Sequence, residues 1–122
     1  MIKECTISDE ALTVAGHYSV GGILGKILKA LKGIGKDVNN LSIADLAPVD
    51  AFHIRGREAT LELADRAGLK PELAVLDVGC GIGGSVRHLA VEHGCHVSGL
   101  DLTPEYVDTA NALSRMVGLE DL

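Results

Sequence analysis

Large rings are nearly absent from this chain: aromatic residues make up 2% of 122, with no Trp and Phe52 as the only Phe. A core without such anchors has to be packed from Leu, Ile, Val and Ala, and the 47% apolar content supplies them. Basic charge is also scarce. The net charge of -6 and the pI near 5.2 exclude the electrostatic footprint of a nucleic-acid binder and leave a small molecule as the expected partner. Cysteine is limited to Cys5, Cys80 and Cys95, an odd number with no signal-type apolar run before them, so reduced thiols in the cytoplasm are expected rather than a disulfide framework. Long apolar runs are missing too. The best candidate, Val20 to Ile34, is broken by Lys26, Lys29 and Lys32 and cannot span a bilayer. The length suits one domain with a real core, but is short for a complete doubly wound sheet.

What is present is a stretch from Val75 to Gly84, VLDVGCGIGG, with an acid at Asp101 closing VSGLD. An apolar run that stops at an acid and breaks into alternating glycines reads as a buried parallel strand, a tight turn and a helix N-terminus. The remaining elements fall around it. Val20, Ile23, Leu24, Ile27, Leu28, Leu31 and Ile34 form one face of an amphipathic helix that should end near Gly33 or Gly35, with the three lysines opposite. Such a helix suits either a core-packing role or an anionic membrane surface. Leu41 to Leu46 predicts a short helix with Ser42 as N-cap, Asp45 as its capping-box partner and Pro48 as its end. Val49 to Gly56 reads as a loop.

Arg57 to Ala67 predicts a further helix with Leu61, Leu63, Ala64 and Ala67 for burial and Gly68 as its stop. Strand Leu73 to Val78, helix Ser85 to His93, strand His96 to Leu100 and a helix from Thr103 and Pro104 to Gly118 complete the chain. The first fifteen residues show no clear pattern. The expected fold class is α/β: an N-terminal helical segment over 1–70, then a β-α-β-α unit over 71–122 that forms half of a Rossmann-like sheet.

The glycines allow two parsings. Gly79, Gly81 and Gly84 satisfy G-x-G-x-x-G, the dinucleotide pattern, while Asp77, Gly79, Gly81 and Gly83 satisfy D-x-G-x-G-x-G, which suggests S-adenosylmethionine. Asp101 serves a ribose in either case. Asp77 discriminates, because a carboxylate at the mouth of the loop would repel a pyrophosphate by about 3 kcal/mol per like-charge pair at ~5 Å and an effective dielectric of ~20. The ammonium and sulfonium of S-adenosylmethionine would instead be attracted. A plainer reading makes Asp77 a loop or N-cap acceptor and Asp101 a cap for the turn at Thr103, and lets Gly83 or Gly84 serve close packing alone.

VLDVGCGIGG with VSGLDLTPEYV resembles the first two motifs of class I S-adenosylmethionine-dependent methyltransferases. APVDAFHIRGREAT upstream and GLDLTPEYVDTANALS downstream are similar to the small-molecule branch that includes sarcosine/dimethylglycine, tocopherol and ubiquinone-pathway enzymes. The likeness runs from Tyr18 to Leu122. It implies S-adenosyl-L-methionine as cofactor and a small-molecule acceptor, with the backbone of Gly79, Cys80 and Gly81 approaching the methionine part, Asp101 on the ribose and Leu102 against the adenine, while Asp77 and Gly83 complete the expected cofactor-binding set. By the same likeness Tyr18 and His53 lie in lid segments near the methyl group, where a Tyr tip bonded at a helix start and a solvated loop His are the plainer roles.

Methyl transfer needs alignment of the acceptor and exclusion of water, and no nucleophile from the protein. Cys80 has no partner base nearby in sequence and reads as a small loop residue. His93, Cys95 and His96 lack a fourth ligand at a metal-site spacing, so no metal is expected. The family sheet has seven strands, and only two are expected in this chain, which predicts a truncated relative or a fragment with weak catalysis. The strand at Leu73 to Val78 should then expose one edge, and a homo-oligomer, most simply a dimer, is expected to cover it. An NAD-dependent oxidoreductase fragment and a non-catalytic scaffold with a relict loop are the competing classes.

Overall fold

The computed structural model describes residues 2–4, 21–50 and 55–119. Its elements are β1 (Ile2–Glu4), α1 (Ile23–Gly33), α2 (Ile43–Asp50), α3 (Gly56–Ala67), β2 (Ala74–Val78), α4 (Gly84–His93), β3 (His96–Asp101) and α5 (Pro104–Met116). Tyr18 and His53 lie outside the described residues.

The expected β-α-β-α unit is present. β2 and β3 run parallel with Val75 opposite Val97 and Asp77 opposite Gly99, joined through α4. The expectation of two strands is corrected by a third: β1 pairs parallel with the far side of β3, Ile2 opposite Gly99, so the order is β1-β3-β2. A strand of three residues whose partner is almost a hundred positions away leaves no local periodicity to detect.

One face of the sheet is covered. Val97 joins Ile2, Val86, Leu89, Val107 and Ala110 in a buried cluster, so α4 and α5 form the layer over that face. The alternate residues point the other way, and Leu76 and Val78 are 59% and 75% exposed. A parallel sheet normally carries helices on both faces. Among the described residues the second face is bare, as is the outer edge of β2. His96 N–H donates to Leu73 O and Gly79 N–H to Leu100 O, so the odd-numbered residues bond to β3 and the backbones of Ala74, Leu76 and Val78 face the free edge.

A second cluster fastens the helices that precede the sheet. Ile27 and Leu31 of α1, Leu46 of α2, Ile82 of the glycine loop and Leu113 of α5 are buried together. Each of these Leu side chains contributes about 2 kcal/mol of burial. The apolar stripe of α1 is thus spent inside the domain, while Lys26, Lys29 and Lys32 are exposed. Ile34, expected on that stripe, is 60% exposed because α1 ends at Gly33.

Ser42 and Asp45 form the expected capping box, with Ser42 N–H donating to Asp45 Oδ2 at 2.9 Å and Asp45 N–H to Ser42 Oγ at 3.3 Å. Pro48 does not end this helix. It lies in the last turn of α2, where it forfeits a single intrahelical bond, and burial of Leu46 and anchoring of Asp50 carry the helix past it. α3 and α4 close on Gly68 and Gly94 as expected. On α3 only Ala64 is buried, whereas Leu63 is 69% exposed on the side where the sheet has no further cover. No helix among the described residues is long and apolar enough to cross a membrane.

Candidate functional site

The glycine loop leaves β2 at Val78 and is pinned at once to the end of β3. Gly79 and Cys80 both donate their N–H groups to Leu100 O, at 2.8 and 3.0 Å, and Gly83 N–H closes the turn on Cys80 O at 3.0 Å. Gly83, at φ 80°, has no room for a side chain: a Cβ there would stand 2.8 Å from Ile2 Cδ1 and 3.1 Å from both Ala110 Cβ and an Arg87 guanidinium nitrogen. Gly84 answers to a different neighbour. A Cβ on it would collide with the Asp50 carbonyl, so this glycine admits the end of α2 against the start of α4 rather than a strand.

Asp101 is an acceptor for the loop. Its Oδ2 receives Gly81 N–H at 2.8 Å and its Oδ1 receives Thr103 N–H at 2.9 Å, tying the loop to the start of α5. The cap expected from the Thr103 hydroxyl is not made among the described residues; Asp101 takes that place. Leu102 follows, partly exposed.

Asp77 has a different environment. Its Oδ2 is buried with no hydrogen-bond partner among the described residues, which excludes the loop-cap reading for that oxygen. Burial, reinforced by the charge of Asp101, pushes its carboxyl above the ordinary range. It lines a cavity of about 490 Å³ between α3, α4 and β2, together with Thr60, Leu63, Leu76, Ser85 and Leu89. Thr60 and Ser85 also border a smaller cavity beside Asp50, Arg57 and His88. The His88 imidazole is pushed down by burial and by Arg57.

Cys80 is buried, with Sγ lying over Gly99, and burial, Asp101 and Asp77 push its thiol up to about 11. That side chain packs; it is no nucleophile at neutral pH. Cys95 is buried as well, its Sγ 3.4 Å from Lys70 O. No three His, Cys, Asp or Glu residues among those described are placed to hold a metal ion.

Two charged residues fasten the helices around the loop through contacts that are not legible in the sequence. Arg87, with its side chain 1% exposed, bonds the loop at Ile82 O and Asp50 on α2. Its position one turn into a helix, between the buried Val86 and Leu89, was the available signal. Glu105 caps α1 from a distance, accepting Gly21 N–H and Ile23 N–H at 2.9 Å each. No local pattern announces that contact.

A methyltransferase-domain family model matches residues 75–120, the span from the glycine loop through α5. Phosphoethanolamine N-methyltransferase 1 of Zea mays is 43% identical over 67 residues, 55% of this chain and 13% of that protein. The probable chloroplastic tocopherol O-methyltransferase of Oryza sativa is 45% identical over 71 residues, 56% of this chain and 19% of that one. Geranyl diphosphate C-methyltransferase of Streptomyces coelicolor, solved with S-adenosyl-L-homocysteine, superposes with a TM-score of 0.63 at 19% identity, covering 96% of this chain and 46% of its own. The chain therefore spans less than a fifth of these curated relatives and about half of the solved structure. The loop geometry and the family match over residues 75–120 thus coincide on one stretch of the chain, and the shared topology shows that the chain forms part of a Rossmann-like fold.

Proposed function

We propose that the loop after β2 holds S-adenosyl-L-methionine and that the chain serves methyl transfer to a small-molecule acceptor. The observation that carries this reading is the buried Oδ2 of Asp77, beside the glycine loop and without a hydrogen-bond partner among the described residues. A buried carboxylate oxygen without a donor is costly, and a cationic ligand relieves the cost. The residues fit the methyl donor and oppose a dinucleotide, whose pyrophosphate would meet the carboxylate of Asp77 at the mouth of the loop.

In this reading Asp77 attracts the cationic methionine end, and the backbone of Gly79, Cys80, Gly81 and Gly83 permits its close approach. Asp101 accepts the ribose hydroxyls. Each of its oxygens spends one lone pair on the backbone bonds described above and keeps another for a ligand. Leu102 supplies an apolar surface for the adenine. When bound, the donor brings a methyl group already activated by its sulfonium, so the protein's task is alignment and exclusion of water.

Tyr18 and His53 are the proposed residues on the acceptor side, His53 taking the acceptor's proton. Support comes from their neighbours in sequence. Gly21, three residues after Tyr18, is bonded to Glu105 near the end of β3, and Asp50, three residues before His53, is bonded to Arg87 beside the loop. Residues 1–70 thus act as the lid portion and 71–122 as the donor-binding portion, apart from β1, which joins the sheet. The free edge of β2 with Leu76 and Val78 favours self-association of a chain of this length, and light scattering showing a stable monomer at micromolar concentration would contradict it. The reduced, buried Cys80 and Cys95 accord with a cytoplasmic setting.

Equilibrium dialysis with labelled S-adenosylmethionine tests the donor assignment. Retention that S-adenosylhomocysteine displaces is expected. No retention at millimolar donor would refute it.

A further inference from the structure

Arg87 is the most buried charge among the described residues, and its guanidinium is shared among three parts of the fold. Nη2 donates to Ile82 O in the glycine loop at 2.8 Å and to Asp50 Oδ1 at the end of α2 at 2.6 Å. Nη1 donates to Ala110 O and Ser114 Oγ of α5 at 3.2 and 3.3 Å. Those four bonds account for all four Nη hydrogens. The two last glycines of the loop are shaped to this side chain and its partner, since Gly83 leaves room for the guanidinium and Gly84 for the Asp50 backbone.

Such a buried ion pair is a weak source of net stability, because desolvation of both charges offsets their attraction. Its geometry is specific instead. A planar fork can hold a loop carbonyl and a carboxylate at fixed positions together, which a lysine ammonium on a single nitrogen reproduces poorly.

We propose that Arg87 is a positioning residue for the donor loop: by binding Ile82 O and Asp50 at once, it sets the loop's conformation and fixes to it the point from which the chain leaves α2 toward His53. Its effect on ligand binding rests on the donor reading above. Its effect on the loop does not. Loss of the Asp50 link loosens the turn that presents the Gly81 and Gly83 amides, although neither amide touches Asp50.

The test compares D50A and R87K with D45A, which breaks the surface pair between Lys36 and Asp45 and the capping box on the same helix but touches nothing in the loop. Amide exchange at Gly81 and Gly83 is followed by NMR, each variant held equally far below its own Tm so that plain loss of stability cancels. S-adenosylhomocysteine affinity is measured alongside. D50A and R87K are expected to speed exchange at both glycines and to weaken binding, each by roughly tenfold, while D45A leaves both within about twofold. If R87K fails to fold, D50A carries the comparison, since it keeps the Arg87 bonds to Ile82, Ala110 and Ser114. Equal exchange in D50A and D45A would overturn the proposal. If the unmutated protein binds no S-adenosylhomocysteine, the donor reading fails and the exchange data still decide the role of Arg87.

Discussion

The N–H of Gly81 donates to Oδ2 of Asp101 at 2.8 Å, so the acid that ends β3 closes the glycine loop that begins after β2. One carboxylate therefore shapes the loop and, in the proposed function, also receives the ribose. Asp101→Ala is expected to lower stability by about 1–3 kcal/mol, the usual cost of leaving buried N–H groups without a charged acceptor. Donor affinity should fall with it. Thermal melts and calorimetry on the same preparation check both, and a variant that binds less tightly with an unchanged Tm would contradict the structural half of this role.

Asp77 should behave in the opposite sense. Its carboxyl is raised by burial and by Asp101, so folding favours the protonated form. The stability it permits is complete below the ordinary carboxylate range and is lost as pH rises through the raised value. Asp77→Asn removes that loss. The variant should match the unmutated protein at pH 3 and melt higher at pH 7, while donor affinity drops about tenfold or more. Tm against pH, paired with binding at pH 7, separates this from a structural role, in which stability and affinity would fall together.

Cys80 offers a test of the loop's packing. With Sγ buried over Gly99 and its thiol pushed up to about 11, it should resist alkylation at pH 8 until the protein unfolds. Peptide mapping after iodoacetamide treatment should find the Cys80 peptide unlabelled in the native protein and labelled in denaturant. Rapid native labelling would contradict the packing described.

The unit from β2 to α5 was legible because its signals are local: apolar runs of strand length, glycines at the turns, and Pro104 at a helix start. The capping box at Ser42 and Asp45 was legible for the same reason. What escaped is non-local. β1 is three residues long and owes its existence to Gly99 through Asp101, Pro48 is overruled by the packing of Leu46 and the Asp50 anchor, and Glu105 reaches back more than eighty residues to cap α1. The exposure of Leu63 and Leu76 was illegible in another way, because hydropathy marks a side chain for burial but does not say which layer covers it. The glycine turn after β2 and the acids at the ends of β2 and β3 were visible as local pattern, and their ligand roles stay part of the proposal. The division of labour between the acids was not visible: Asp101 is already engaged by Gly81 and Thr103, while Asp77 keeps an oxygen without a partner among the described residues.

In the proposed function, Asp77 beside the loop selects a sulfonium donor over a dinucleotide, and that is the central claim. Isothermal titration of this chain with S-adenosylhomocysteine and, separately, with NAD tests that claim most directly. The expected result is saturable binding of S-adenosylhomocysteine and none of NAD at the same concentrations. Binding of NAD alone, or of neither ligand, would contradict it.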